Sequence, residues 1–91
     1  MALNFSMFSF KTRGSLHLKL EGDFDGNSAH ELLETLKKYN SGSYQIFIDT
    51  NDLKTIYPFG MEVFQKKLGI YKKQINNLIF IGGNRNQFSP N

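Results

Sequence analysis

The chain has 91 residues, 40% of them hydrophobic, with nine Phe and four Tyr but no Trp. That length fits one domain spanning residues 1–91 with one modest core, which buries only about 60% of its unfolded surface. Cysteine is absent, which excludes disulfides and thiolate metal sites, and 11 basic against 8 acidic residues give a net charge of only +3.

The opening MALNFSMF has no basic segment followed by a long apolar core, so no signal peptide is expected. No apolar run approaches the roughly 20 residues of a membrane-spanning helix, and a soluble cytoplasmic protein is the expectation. The paired lysines Lys37-Lys38, Lys66-Lys67 and Lys72-Lys73 fall on the polar faces of predicted helices and are not interleaved with aromatic residues. They read as solvated surface, with nucleic acid the least favoured partner.

Leu3 to Lys11 reads as the first strand, with Leu3, Phe5 and Met7 on one side and Phe8 and Phe10 on the other. That change of phase predicts either a bulge or burial on both sides. Thr12-Arg13-Gly14-Ser15 is a turn in which Gly14 is free to take positive φ. Leu16, Leu18 and Leu20 then alternate with His17, Lys19 and Glu21, so a second strand closes an antiparallel hairpin.

Residues 22–27 read as a loop. Ser28 with Glu31 three positions on has the form of a capping box opening the first helix. Ala29, Leu32, Leu33, Leu36 and Tyr39 form its apolar stripe, His30 falls outside it, and Glu34 and Lys38 form an outward pair. Asn40 to Ser43 ends the helix.

Tyr44 to Asp49 is the third strand, and Asp49-Thr50-Asn51-Asp52 a polar loop at its carboxyl end. The second helix runs from Pro58 to Lys73, with Pro58 in its first turn and Gly60 suited to a close approach. Met61, Phe64, Leu68, Tyr71 and Ile75 make its core stripe. Leu78 to Ile81 is the last strand, Gly82-Gly83 ends it, and Asn84 to Asn91 reads as coil. The order strand, strand, helix, strand, helix, strand predicts an α/β fold: a four-stranded mixed sheet, an opening hairpin followed by parallel strands, with two main helices on one face.

With the elements in place, the chain resembles the STAS domain, the fold of bacterial anti-sigma factor antagonists and of the cytoplasmic tails of sulfate transporters. LEGDFDGNSAHELLETL is similar to that family's turn into the first helix, YQIFIDTNDLKTI to its central strand, GMEVFQKKLGIYKK to its second helix and NLIFIGGN to its next strand. The order and spacing of four weak motifs carry the likeness, which extends to Gly83. It implies a non-catalytic regulatory module whose partner is another protein, such as an anti-sigma factor or kinase-like regulator. In antagonists of this family an Asp-Ser-Ser-Gly string opens the second helix, and the serine before the glycine is phosphorylated. Here that string reads Tyr57-Pro58-Phe59-Gly60. Phe59 has no hydroxyl, so the usual switch has no acceptor at this position. Ser28, Thr50 and Thr55 are nearby hydroxyls that nothing in the sequence marks as substitutes.

The candidate partner-binding residues are Tyr57, Phe59, Gly60, Val63 and Ile70. On a helical wheel Phe59, Val63 and Ile70 fall opposite the core stripe, and aromatic anchors dominate many interfaces. The competing reading is ordinary scattered surface apolar residues. A second function class is a small-ligand or nucleotide site in the strand-end loops, from Asp23, Asp25 and Asn27 together with Asp49, Thr50 and Asn51. Asp favours turns and caps, no EF-hand spacing is present, and His17 and His30 lie far apart, so no metal is expected. Gly82-Gly83-Asn84 lacks the Gly-x-Gly-x-x-Gly and Gly-Lys-Ser/Thr patterns and reads as strand termination. No nucleophile is paired with a base, and neither catalysis nor a cofactor is expected. The continuous apolar run Leu78-Ile79-Phe80-Ile81 calls for cover on both faces. Self-association or a partner is expected to supply it.

Overall fold

The computed structural model describes residues 4–39, 45–71 and 77–88. Strand β1 (Ser6–Thr12) turns at Gly14, φ +81°, into β2 (Ser15–Phe24), and the two pair antiparallel without interruption. Helix α1 (Gly26–Lys38) leads to β3 (Gln45–Ile56), and α2 (Pro58–Ile70) leads to β4 (Leu78–Ile81). β2, β3 and β4 are parallel, and the sheet order is β1-β2-β3-β4. A short helix, α3 (Arg85–Phe88), follows.

Alternation decides which face is covered. Leu16, Leu18 and Leu20 of β2 and Ile46 and Ile48 of β3 are buried under the helices, whose own buried residues are Ala29, Leu32, Leu33, Leu36 and Phe64. Both main helices therefore lie on one face of the mixed sheet, the predicted architecture. Tyr44 and Ile75, placed by the sequence at a strand start and in a helix stripe, lie outside the described residues, as do Lys72, Lys73 and the segment 40–43.

Six sequence expectations need correction. β1 carries neither a bulge nor two-sided burial: Met7 packs against the core, whereas Phe8 and Phe10 stand exposed on the open face of the sheet. The first helix starts earlier than Ser28. Its cap is Asp25, whose Oδ1 accepts from the Ser28 backbone N–H at 3.0 Å, and Ser28 is itself fully buried. The residues around it, read as a loop from 22 to 27, supply the end of β2, with Phe24 in the core. The outward partner of Glu34 is Lys37, at 3.6 Å.

The polar stretch after Asp49 is not a loop. β3 continues to Ile56, pairing twelve residues against ten of β2, and two register shifts absorb the excess. Such bulges let a strand stay paired while its side chains are re-aimed. Finally, the coil expected after Gly83 contains α3, which inserts Phe88 into the core. Phe88 meets Phe24, Phe64 and Phe80 at ring-centre distances of 5.0–5.7 Å, an aromatic cluster that closes the end of the molecule.

Candidate functional site at the start of the second helix

β2 ends at Phe24 and β3 at Ile56, side by side. The Tyr57 N–H donates to the Phe24 carbonyl at 2.9 Å, fixing the chain just before α2. Pro58 occupies the first helical turn, where its missing N–H costs nothing. Gly60 is buried against the backbone of Asp25: a Cβ there would lie 2.6 Å from the Asp25 carbonyl carbon. The starts of α1 and α2 therefore touch, and only glycine permits it. The Phe59 ring lies over Gly26, whose Cβ would sit 3.1 Å from Phe59 Cε2.

This geometry leaves the Phe59 ring 67% exposed and Tyr57 47% exposed. The other two residues of the predicted face are placed differently. Val63 is half-buried against the core, because α2 packs against α1 as well as above the sheet. Ile70 is exposed but lies eleven residues beyond Phe59, about 17 Å along the helix. Tyr57, Phe59 and Gly60 form one edge, and Ile70 is remote from it.

The predicted loop residues fall into two separate groups. Asp25 is a cap. The hydrogen bond from the Ser28 backbone N–H, reinforced by the Ser28 hydroxyl, holds its carboxyl below the usual carboxylate range. Ser28 Oγ also donates to the Asp23 carbonyl at 3.0 Å, and Asn27 is exposed in the first turn of α1.

The second group ties β3 to the end of β4. Thr50 is fully buried, its hydroxyl donating to the Ile81 carbonyl at 2.8 Å and accepting from the Asn84 N–H at 3.2 Å. Asn51 Oδ1 accepts from the Gly83 N–H, Asp49 Oδ1 accepts from the Asn51 N–H, and Asn84 Nδ2 donates back to the Thr50 carbonyl at 2.9 Å. These groups satisfy one another where the first bulge exposes backbone.

One open cavity of about 520 Å³ lies at this end of the sheet, lined by Asn4, Glu21, Gly22, Asp23, Asp52 and Lys54. Of the predicted ligand residues only Asp23 reaches it. Sequence reading missed Asn4, Glu21 and Lys54 because they become neighbours only through strand pairing, Asn4 through the β1–β2 hairpin and Lys54 through the β2–β3 register. Among the described residues no group of three His, Asp or Glu side chains could hold a metal ion. No helix there is long and apolar enough to cross a membrane.

No family model and no curated protein matches the chain. Solved structures do. The chain is similar to one described as Mglu, with a TM-score of 0.71 at 14% identity, over 86% of this chain but only 20% of that one. It is similar to an uncharacterised protein of the DUF3478 family with a SpoIIAA-like fold from Shewanella loihica, with a TM-score of 0.64 at 14% identity, covering 92% and 71% of the two chains. The third is the anti-sigma factor antagonist SpoIIAA in its unphosphorylated form, with a TM-score of 0.57 at 14% identity, covering 84% and 70%. At such identity the likeness is one of fold, and the fold is STAS-like.

Proposed function

We propose that the chain is a non-catalytic regulatory module that docks another protein through the edge formed by Tyr57, Phe59 and Gly60. The supporting observation is Phe59: an aromatic ring more than half exposed, at a helix start that the close contact of Gly60 with the Asp25 backbone sets against α1. An aromatic side chain has only two rotatable bonds, so it loses little conformational freedom on binding and supplies a large apolar contact. The likeness in fold to an anti-sigma factor antagonist supports a regulator of the anti-sigma or kinase-like type as the partner. Because Phe59 stands before Gly60 where antagonists of the STAS family carry serine, docking here is constitutive rather than switched by phosphate at that position.

The experiment is site-specific photocrosslinking in the native host, with benzoylphenylalanine at position 59, followed by affinity measurement with the captured protein. Phe59→Asp and Tyr57→Ser are expected to weaken binding about tenfold or more each while leaving the circular dichroism spectrum unchanged. Unaltered affinity in both variants rejects this edge as the docking site.

A second reading, a small-ligand module, has the cavity beside Asp23 on its side. Its lining sets Glu21, Asp23 and Asp52 against Lys54, which suits a cationic ligand better than a nucleotide phosphate. A melting shift with polyamines and none with nucleotides is the pattern this reading requires.

A further inference from the structure

Among the described residues nothing covers the sheet face turned away from the helices, and register fixes its rows. Phe10, His17, Phe47 and Ile79 stand side by side across all four strands. The His17 imidazole is stacked between Phe10 at 4.7 Å and Phe47 at 5.1 Å between ring centres. The next row reads Phe8, Lys19, Asp49, Ile81, and the third Ser6, Glu21, Asp52. Phe8 is 54% exposed, Phe10 59%, Ile79 36% and Ile81 39%. Together these four side chains leave roughly 350 Å² of apolar surface open to water, the size at which a patch on a monomer is commonly functional.

We propose that this face is a homodimer interface, two copies packing open sheet against open sheet about a two-fold axis perpendicular to the strands. The charge layout selects both occupant and orientation. Glu21, Asp49 and Asp52 gather toward the carboxyl end of β2, with Lys19 between them, 3.1 Å from Asp52. Asp23 and Lys54 beside the cavity add one charge of each sign. The opposite end, the hairpin Thr12-Arg13-Gly14-Ser15, carries exposed Arg13 and no acid.

A second copy turned end for end sets Arg13 of each chain toward the acidic row of the other. A two-fold axis along the strands would instead set acid on acid. Either arrangement would bury the aromatic rows, so electrostatics chooses between them. Phosphate backbones meet the same acidic row, which disfavours the aromatic face as a nucleic-acid platform. Sheets packed face to face lie about 10 Å apart and interdigitate side chains of this size. The exposed apolar part of the patch is small beside the roughly 800 Å² that each partner buries in a standard interface, which fits a reversible, concentration-dependent dimer. This dimer also supplies the second cover that the apolar run of β4 calls for.

The test is sedimentation velocity on the full chain from about 1 μM to about 1 mM. A concentration-dependent monomer–dimer equilibrium is expected. Phe10→Asp and, on the other edge strand, Ile79→Lys are expected to raise the dissociation constant about tenfold or more with unchanged circular dichroism, since both side chains are partly exposed. Arg13→Glu and Glu21→Arg should each weaken the dimer, and the double reversal should recover much of the loss. Phe59→Asp should leave it intact, which separates this interface from the docking edge on α2. A monomer throughout the range, or a dimer indifferent to Phe10→Asp and Ile79→Lys, overturns the proposal. Absence of recovery in the double reversal overturns the orientation. Salt-dependent retention of single-stranded RNA that Phe10→Asp abolishes would reassign the face to nucleic acid.

Discussion

Replacing Gly60 by alanine tests the contact that positions the docking edge. The added methyl would lie 2.6 Å from the Asp25 carbonyl carbon and 2.8 Å from both its Cα and its oxygen. These are backbone atoms at the cap of α1, so no side-chain rotation relieves the clash and one helix start must move. Overpacking of this kind costs about 1–3 kcal/mol. An approach of 2.6 Å to backbone lies in the upper part of that range, at about 2–3 kcal/mol, and alanine regains about 1 kcal/mol over glycine in a helix, so the clash wins with a net loss of about 1–2 kcal/mol. At about 4–8 °C per kcal/mol for a domain of this size, Gly60→Ala should melt about 4–16 °C lower. Gly69, in the same helix, is the internal control. A Cβ there meets no atom within 4 Å, so Gly69→Ala should gain up to about 1 kcal/mol and melt a few degrees higher. Thermal denaturation followed by far-ultraviolet circular dichroism reads both. If Gly60→Ala melted with or above the parent, α2 would not press on α1, and the placement of Phe59 would lose its basis.

Two further perturbations probe the parts of the structure that hold this edge in place. Thr50→Val preserves shape but strips the Ile81 carbonyl and the Asn84 N–H of their buried partner. A cost of about 1–3 kcal/mol should appear as a lower urea midpoint at constant slope, and an unchanged midpoint would mean that water replaces the hydroxyl. Asp25 supplies the acid-side prediction. Its folded pKa lies below the unfolded value because Ser28 donates to the charged form, so its contribution is complete above the unfolded pKa and disappears as pH falls through the folded one. Asp25→Ala should therefore be less stable than the parent near neutrality. The gap should narrow below about pH 4, as urea titrations between about pH 6 and pH 2.5 would reveal. A gap independent of pH would assign the loss to something other than the charged cap.

What the sequence made legible was carried by periodicity. Leu16, Leu18 and Leu20 alternate as a strand with one covered face. Ala29, Leu32, Leu33 and Leu36 repeat as a helix stripe, and Pro58 with Gly60 marks both a helix start and its close approach. Each signal is local, and each pattern follows from the element it builds. The extension of β3 through Asp49 to Ile56 is not local. Those polar residues look like a loop until β2 offers them a partner and Thr50 finds the carbonyl of Ile81, 31 residues away. The start of α1 was misread at Ser28 because Asp25 and Ser28 are both good cap residues three positions apart, and in the fold Asp25 takes the cap while Ser28 is buried. Phe8 and Phe10, by their change of phase, read as a bulge or as a second buried side. Only the topology, with both main helices on one side, leaves them in water. At the candidate site, Tyr57, Phe59 and Gly60 were visible in the sequence as a group. Val63, set by the helical wheel opposite the core stripe, is half-buried against the core instead.

The two surfaces lie on opposite layers of the molecule, and this constrains how they could work together. α2 and its exposed Phe59 belong to the helical layer, whereas Phe8, Phe10, Ile79 and Ile81 belong to the bare side of the sheet. A dimer joined through the bare side keeps both helical layers outermost and both docking edges open. Each edge then binds independently unless the partner is itself multivalent, in which case the second contact becomes intramolecular and apparent affinity rises without any new contact. Phe10→Asp would then lower retention on a multivalent partner while leaving affinity for a single partner domain unchanged. Phe59→Asp would lower both. That difference separates a module whose strength comes from pairing from one that acts as a single copy.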